Sequence, residues 1–204
     1  MAIVLVRHAE TALNAARTLQ PFDTPLSERG QEQAARLAER VVQQWRPVLI
    51  LSSDAPRAWQ TAEPIAARCA LEILADPGLR ERDFGALRGQ PYDRLNVDPL
   101  SMDEAPPGGE SRAAFQTRTM AAFERVLERA RMLPDADLIV VSHGLWIRTV
   151  IETQFDAGGP DEPPLVLGNT SVTLLAAGPP ARLLMAGCAA HLEPRLAARG
   201  IAGL

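Results

Sequence analysis

Three short apolar runs, at residues 3–6 (Ile-Val-Leu-Val), 48–51 (Val-Leu-Ile-Leu) and 138–141 (Leu-Ile-Val-Val), are too brief for helices and show no polar alternation. Branched runs of this kind suit strands covered on both faces, the usual state of a parallel sheet clad in helices. The segments between them supply those helices. Residues 27–45 place Ala34, Leu37, Ala38, Val41, Val42 and Trp45 on one stripe, with Glu and Arg opposite, and Pro47 closes it. Pro56 opens a second helix carrying Ala58, Thr61, Ala62, Ile65 and Ala66, with Pro64 as a candidate kink. Ser111 caps a third with Phe115, Ala122, Phe123, Val126, Leu127 and Ala130 inward, and residues 144–153 read as a short fourth.

Residues 71–74 read as a further strand, and 172–175 with 182–185 as an antiparallel hairpin joined by Gly-Pro-Pro. The alternation predicts one α/β domain over residues 1–204, a three-layer α/β/α sandwich with a mostly parallel central sheet. From residue 76 to 110 the periodicity fades among prolines 77, 91, 99, 106 and 107. That stretch is expected to be an insertion of loops and one short helix capping the site. Prolines 160, 163 and 164 mark a loop, the Ala-rich tail from Leu192 is expected to be loosely ordered, and His191 reads as a surface or satisfied structural histidine.

All 21 cationic side chains are Arg, and Lys is absent. Schiff-base chemistry on lysine, a pyridoxal phosphate anchor and a P-loop ending in Lys-Ser/Thr are therefore excluded. Anion binding falls to the guanidinium fork, while the lysine-free surface itself is a matter of compositional bias. The net charge of −4 and the lack of a basic block argue against nucleic acid or an anionic membrane as partner. Cys69 and Cys188 have no metal-ligand context and read as apolar fillers. No stretch approaches a membrane span and the apolar start is too short for a signal peptide, so a cytoplasmic protein is expected; a homodimer stays open.

Two of the three histidines directly follow predicted strands, in Arg7-His8 and in Ser142-His143-Gly144. Ligands of open α/β sheets bind beyond the carboxyl ends of strands, so both imidazoles point to one site. Arg57 lies just past a third strand end, in the first turn of a helix whose N-terminus favours an anion. Arg7 and Arg57 beside two imidazoles suit a tetrahedral oxyanion, because guanidinium forks match phosphate oxygens in geometry and charge. No HExxH, Asp-His cluster or Cys set offers a metal, and neither Cys sits in a Gly-rich loop ending in Arg. Histidine itself remains as the nucleophile.

The string Leu5-Val6-Arg7-His8-Ala9-Glu10-Thr11 with Asn14 resembles the signature of the histidine phosphatase superfamily, the phosphoglycerate-mutase-like proteins. The resemblance continues in order through Asp23-Thr24-Pro25-Leu26-Ser27-Glu28-Arg29-Gly30, Ser52-Ser53-Asp54-Ala55-Pro56-Arg57-Ala58, Leu79-Arg80-Glu81-Arg82-Asp83-Phe84-Gly85, Pro107-Gly108-Gly109-Glu110-Ser111, Val140-Val141-Ser142-His143-Gly144 and Gly168-Asn169-Thr170-Ser171-Val172. It implies that His8 takes the phosphoryl group, that Arg7, Arg57 and His143 form the phosphate pocket, and that Glu81 is the acid/base. Thr11, Asn14, Gln20 and Gly144 are implied as further substrate contacts, and Glu110 and Ser111 as braces. No cofactor or metal is implied.

Gln20-Pro21 stands where mutases and several phosphatases carry Gly-Trp, and Gly85-Ala86-Leu87-Arg88-Gly89 lacks the Trp of the family's Gly-x-Trp-x-Gly run, departures that favour a phosphatase over a mutase. The expected activity is thus metal-independent hydrolysis of a phosphorylated small metabolite through phosphohistidine. A mutase-like phosphotransferase and an inactive module that binds phosphorylated ligands are the alternatives. Arg82, Arg88 and Arg94 are candidates for meeting an acidic substrate, against solvation or pairing with Asp83, Asp93 or Asp98.

Overall fold

The computed structural model describes residues 1–96, 98–99, 101–133, 135–155 and 165–197. Among them, β1 (Ala2–Arg7), β2 (Pro47–Ser52), β3 (Ile73–Ala75), β4 (Asp137–Ser142), β5 (Val172–Ala176) and β6 (Arg182–Cys188) form one sheet in the order β3-β2-β4-β1-β5-β6. The first four positions in that order are parallel, and β5 and β6 are antiparallel. Strand periodicity divides the core between two faces. Ile3, Leu5, Leu51, Leu138 and Val140 pack with α4 (Arg112–Arg131) and α5 (Gly144–Gln154) through Phe123, Val126, Trp146 and Val150. Val4, Val6, Ile50, Ile139 and Val141 pack with α2 (Glu28–Gln44) and α3 (Pro56–Cys69) through Leu37, Val41, Ala62 and Ile65. The chain is a three-layer α/β/α sandwich, with one more helical turn, α1 (Ala12–Ala15), after β1.

Local chemistry sets the boundaries. The hydroxyls of Ser27 and Ser111 accept the Gly30 and Ala114 N–H groups at 3.0 and 3.1 Å, capping α2 and α4. Pro56 starts α3, where its missing N–H costs nothing. The helix runs on through Pro64 to Cys69, with Ile65 and Ala66 buried against the sheet side, so the proline does not end it.

Other expectations need correcting. Val42 is 44% exposed, because it lies one step around the helix from the stripe that ends in Val41. The third parallel strand is Ile73–Ala75, shifted from residues 71–74 by the left-handed Ala70 that closes α3. Between residues 76 and 96 there are three single 3-10 turns, Pro77–Leu79, Gly85–Leu87 and Tyr92–Arg94, in place of a short α-helix. The tail is docked as far as residue 197: Leu192 and Leu196 are buried, and the Leu196 and Ala197 carbonyls accept bonds from Gln33 and Arg29 of α2. His191, bridging Arg40 and Thr170, is a satisfied structural histidine as expected, whereas the Cys188 thiol accepts from Arg40 and is no mere filler. The loop marked by prolines 160, 163 and 164 lies outside the described residues. No helix among the described residues is long and apolar enough to cross a membrane.

Gly30 couples α2 to the loop that carries His8. It packs on the backbone just past β1, where an added Cβ would fall 2.0 Å from the Glu10 carbonyl oxygen. Gly30→Ala is expected to destabilise the protein by about 1–3 kcal/mol, overpacking outweighing the gain in helix propensity. Urea unfolding checks this; an alanine variant at least as stable as the parent would show that the segment after His8 yields freely.

Candidate active site

The carboxyl ends of three neighbouring strands carry the cluster. β1 ends in Arg7 and passes to His8, whose N–H donates to the Ser142 carbonyl at 2.9 Å. β4 ends in Ser142 and passes to His143. β2 ends in Ser52, the Ser53 N–H donates to Val141 at 2.9 Å, and the turn delivers Arg57 in the first turn of α3. Parallel register aligns these ends, with Arg7 opposite Ser142 and Ser52 opposite Val141. The rings of His8 and His143 consequently lie 5.1 Å apart.

Arg7, His8, Arg57 and Glu81, joined by Asn14, Leu19, Gln20 and Tyr92, line an inner chamber of about 40 Å³. Space for a few water molecules is also space for one tetrahedral oxyanion. Arg7 is 5% exposed and Arg57 5%, and among the described residues neither has a carboxylate in ion-pair range. Arg7 donates to the Leu167 carbonyl, and Arg57 to the Pro21 and Phe22 carbonyls at 3.2 Å each. The Nε atoms of both, and Nδ1 of His143, are buried without a partner. Buried donors normally find acceptors, and the two guanidinium Nε–H groups have none in the protein, so they point to an anion.

Electrostatics sort the protonation states. His8 Nδ1 lies 2.7 Å from the Ala9 carbonyl, which can only accept, so the proton sits on Nδ1 and the lone pair on Nε2. Burial, with Arg57 and Arg7 nearby, holds both imidazoles well below the ordinary histidine pKa. Arg57 is pushed down by burial to about 10 and remains a cation. Burial also lifts Tyr92 to about 12, leaving a neutral phenol on the chamber wall.

Glu81 reaches this cluster from the edge of the sheet, beyond β3 and the first 3-10 turn. Its carboxylate accepts the N–H groups of Leu145 and Trp146 at 3.1 and 3.2 Å, and so caps α5, whose own N-cap residue His143 offers no side-chain bond. Burial raises its pKa in spite of these bonds. The segment is clamped from α4. Arg118 pairs with both oxygens of Glu110 at 2.8 Å and donates to the carbonyls of Gly78, Arg80 and Glu81, which occupies all five of its N–H bonds. Glu110 in turn accepts the Asp83 N–H at 3.0 Å.

Gln20, Arg57, Glu81 and Arg82 also border a wider outer cleft of about 560 Å³, with Phe22, Arg80, Asp83 and Arg88 on its walls. Arg80 forks onto Asp54 and lies over the Phe22 ring at 4.7 Å, and Arg88 pairs with Asp83. Arg82 is 5% exposed, and its guanidinium donates to the carbonyls of Met102, Glu104 and Glu110. It braces the wall and is no free anion receptor, while Arg94 is exposed and lines neither space.

Among the residues expected to contact substrate, Asn14 and Gln20 line the chamber. Thr11 does not. It is fully buried, accepting the Asn14 N–H at 3.0 Å and donating to Gln20 at 2.9 Å, so it shapes the loop from behind. Gly144 packs on Arg7, where a Cβ would lie 3.5 Å from the guanidinium carbon. Ser53, Tyr92, Arg118 and Asn169 were not singled out as site residues from sequence. Asn169 donates to the His8 carbonyl at 3.1 Å, and Ser53 lies 2.9 Å from His143 Nε2. The Ser52-Ser53 and Asn169 signals lay inside recognised blocks, whereas nothing local marks Arg118.

Residues 3–184 match the family model for the histidine phosphatase superfamily (branch 1). The chain belongs to that superfamily. A phosphoglycerate mutase-like protein 4 of Arabidopsis thaliana is 36% identical over 162 residues, 74% of this chain and 69% of its own length. A metal-independent phosphoserine phosphatase of the same plant is 36% identical over 160 residues, 72% of this chain and 66% of its own length. A solved mycobacterial glucosyl-3-phosphoglycerate phosphatase superposes with a TM-score of 0.75 at 28% identity, covering 92% of this chain and 98% of that chain. The family, together with these phosphatase relatives, makes this chain a phosphatase of the histidine phosphatase type.

In this histidine phosphatase, Arg118 is a positioning residue for the Glu81 segment. Arg118→Ala is expected to cost about 1–3 kcal/mol of stability, limited by the partial exposure of the Glu110 pair. Turnover of p-nitrophenyl phosphate is expected to fall at least about tenfold, with KM nearly unchanged. Full turnover in a variant that unfolds earlier would show that Glu81 holds its place without the clamp.

Proposed function

We propose that the protein hydrolyses a phosphorylated small metabolite by passing the phosphoryl group through His8, without a metal. The observation that carries this reading is the state of His8: Nδ1–H held on the Ala9 carbonyl, Nε2 free, and Arg7 and Arg57 bordering the same chamber. In the first step the Nε2 lone pair attacks phosphorus in line and the bond to the leaving oxygen breaks, while the Glu81 carboxyl gives that oxygen its proton. In the second, the Glu81 carboxylate takes a proton from water, the oxygen attacks phosphorus, and the P–N bond returns its electrons to His8. Arg7, Arg57 and His143 supply fixed donors to the equatorial oxygens throughout. Gln20 and Asn14 border the path of the leaving group.

Three features support the details. The depressed basicity of His8 keeps its lone pair available at neutral pH. The raised pKa of Glu81 favours the protonated form that the first step needs. An outer cleft of about 560 Å³ suits a small organic group, and residues 76–88, from the proposed insertion at 76–110, furnish much of its wall.

The reading is tested with p-nitrophenyl phosphate. Wild-type protein is expected to release phosphate, equally in EDTA, and His8→Ala to lose at least about a thousandfold in kcat. Activity that disappears in chelator and returns with a divalent cation, or that survives in His8→Ala, contradicts it.

A further inference from the structure

We infer that Ser53 is a positioning residue that sets the tautomer of His143, placing the single ring proton on Nδ1, the ring nitrogen that has no partner within the protein. The inference rests on the phosphatase reading for its purpose, and on hydrogen-bond accounting for its content. Ser53 follows β2, is fully buried, and has its hydroxyl oxygen 2.9 Å from His143 Nε2. The same oxygen accepts the Ala55 N–H at 3.3 Å. Among the described residues, the hydroxyl proton has Nε2 as its acceptor and no other.

Two arrangements compete. If Nε2 carried the proton, it would donate to the Ser53 oxygen, and the hydroxyl's own proton would be stranded without an acceptor. If Ser53 donates instead, the run from the Ala55 N–H through the hydroxyl to Nε2 is satisfied at each link, and Nδ1 keeps the proton. Nδ1 is also the ring atom that is buried without a partner. A lone pair there would repel an incoming phosphate oxygen, whereas an N–H binds it.

A second ring proton is opposed from every side. Burial opposes it first, and the guanidinium groups of Arg57 on α3, Arg7 on β1 and Arg118 on α4 add to the cost of an imidazolium. His143 is thereby a neutral donor, and the proton for the leaving group is left to Glu81. Free imidazole side chains favour the proton on Nε2, so the tautomer here is imposed by the protein, and by one hydroxyl.

The chain has three histidines, which makes their ring signals assignable by single substitution. Nitrogen-15 NMR of ring-labelled wild-type protein, alone and with inorganic phosphate, is expected to show the His143 proton on Nδ1 in both states. In Ser53→Ala the proton should redistribute towards Nε2, kcat for p-nitrophenyl phosphate should fall about 10- to 100-fold, and inhibition by inorganic phosphate should weaken; Ser53→Thr should restore the tautomer. A wild-type proton on Nε2, or protons on both nitrogens near neutral pH, overturns the inference, as does a Ser53→Ala protein that keeps the Nδ1 tautomer. The spectrum is read without turnover. The expected tautomer in a wild-type protein that hydrolyses nothing would therefore count against the phosphatase reading alone.

Discussion

Two guanidinium groups, Arg7 at the end of β1 and Arg57 in the first turn of α3 beyond β2, stand nearly buried with no carboxylate in ion-pair range among the described residues. Unpaired buried charge is costly, and a fold keeps it only where surrounding structure holds it in place. Here the restraint is backbone. The Leu167, Pro21 and Phe22 carbonyls each take one donor and fix the two forks, leaving Nε atoms aimed at nothing in the protein. Burial, reinforced by the positive field they create, keeps the imidazoles beside them neutral, and on the proposed reading it is in this field that a phosphoryl group transfers.

The parallel sheet makes that arrangement available. β2, β4 and β1 are neighbours, so their carboxyl ends converge, and β3 at the edge sends the chain back across the opening with Glu81. Glu81 then serves the fold as well as the proposed chemistry. It caps the Leu145 and Trp146 N–H groups of α5, the helix that begins directly after His143. The acid/base and the second histidine are thereby fixed to one helix terminus. A shift in α5 would move both, which explains why the opposing helix α4 commits a whole guanidinium, Arg118, to holding the loop.

Much of this was legible in the sequence because it is local. Buried strands announce themselves as branched apolar runs, helix starts as Ser27, Pro56 and Ser111, and Arg7-His8 and Ser142-His143 carry their strand context with them. Long-range pairings left no such mark. Arg82 looks like a substrate-facing cation until its carbonyl partners at residues 102, 104 and 110 are known. Thr11 looks like a pocket hydroxyl until Asn14 and Gln20 claim it. The tail looks loose because its anchors, Leu192 and Leu196, are sparse among alanines and find their partners on α2.

On the proposed reading a phosphoryl group moves twice in line, first to His8 and then to water. Stereochemistry at phosphorus reads this without requiring an intermediate to accumulate. A phosphorothioate monoester made chiral with oxygen isotopes would be hydrolysed in isotopically distinct water and the configuration of the released thiophosphate determined. Two displacements predict net retention. Net inversion, the mark of a single direct attack by water, would contradict the account.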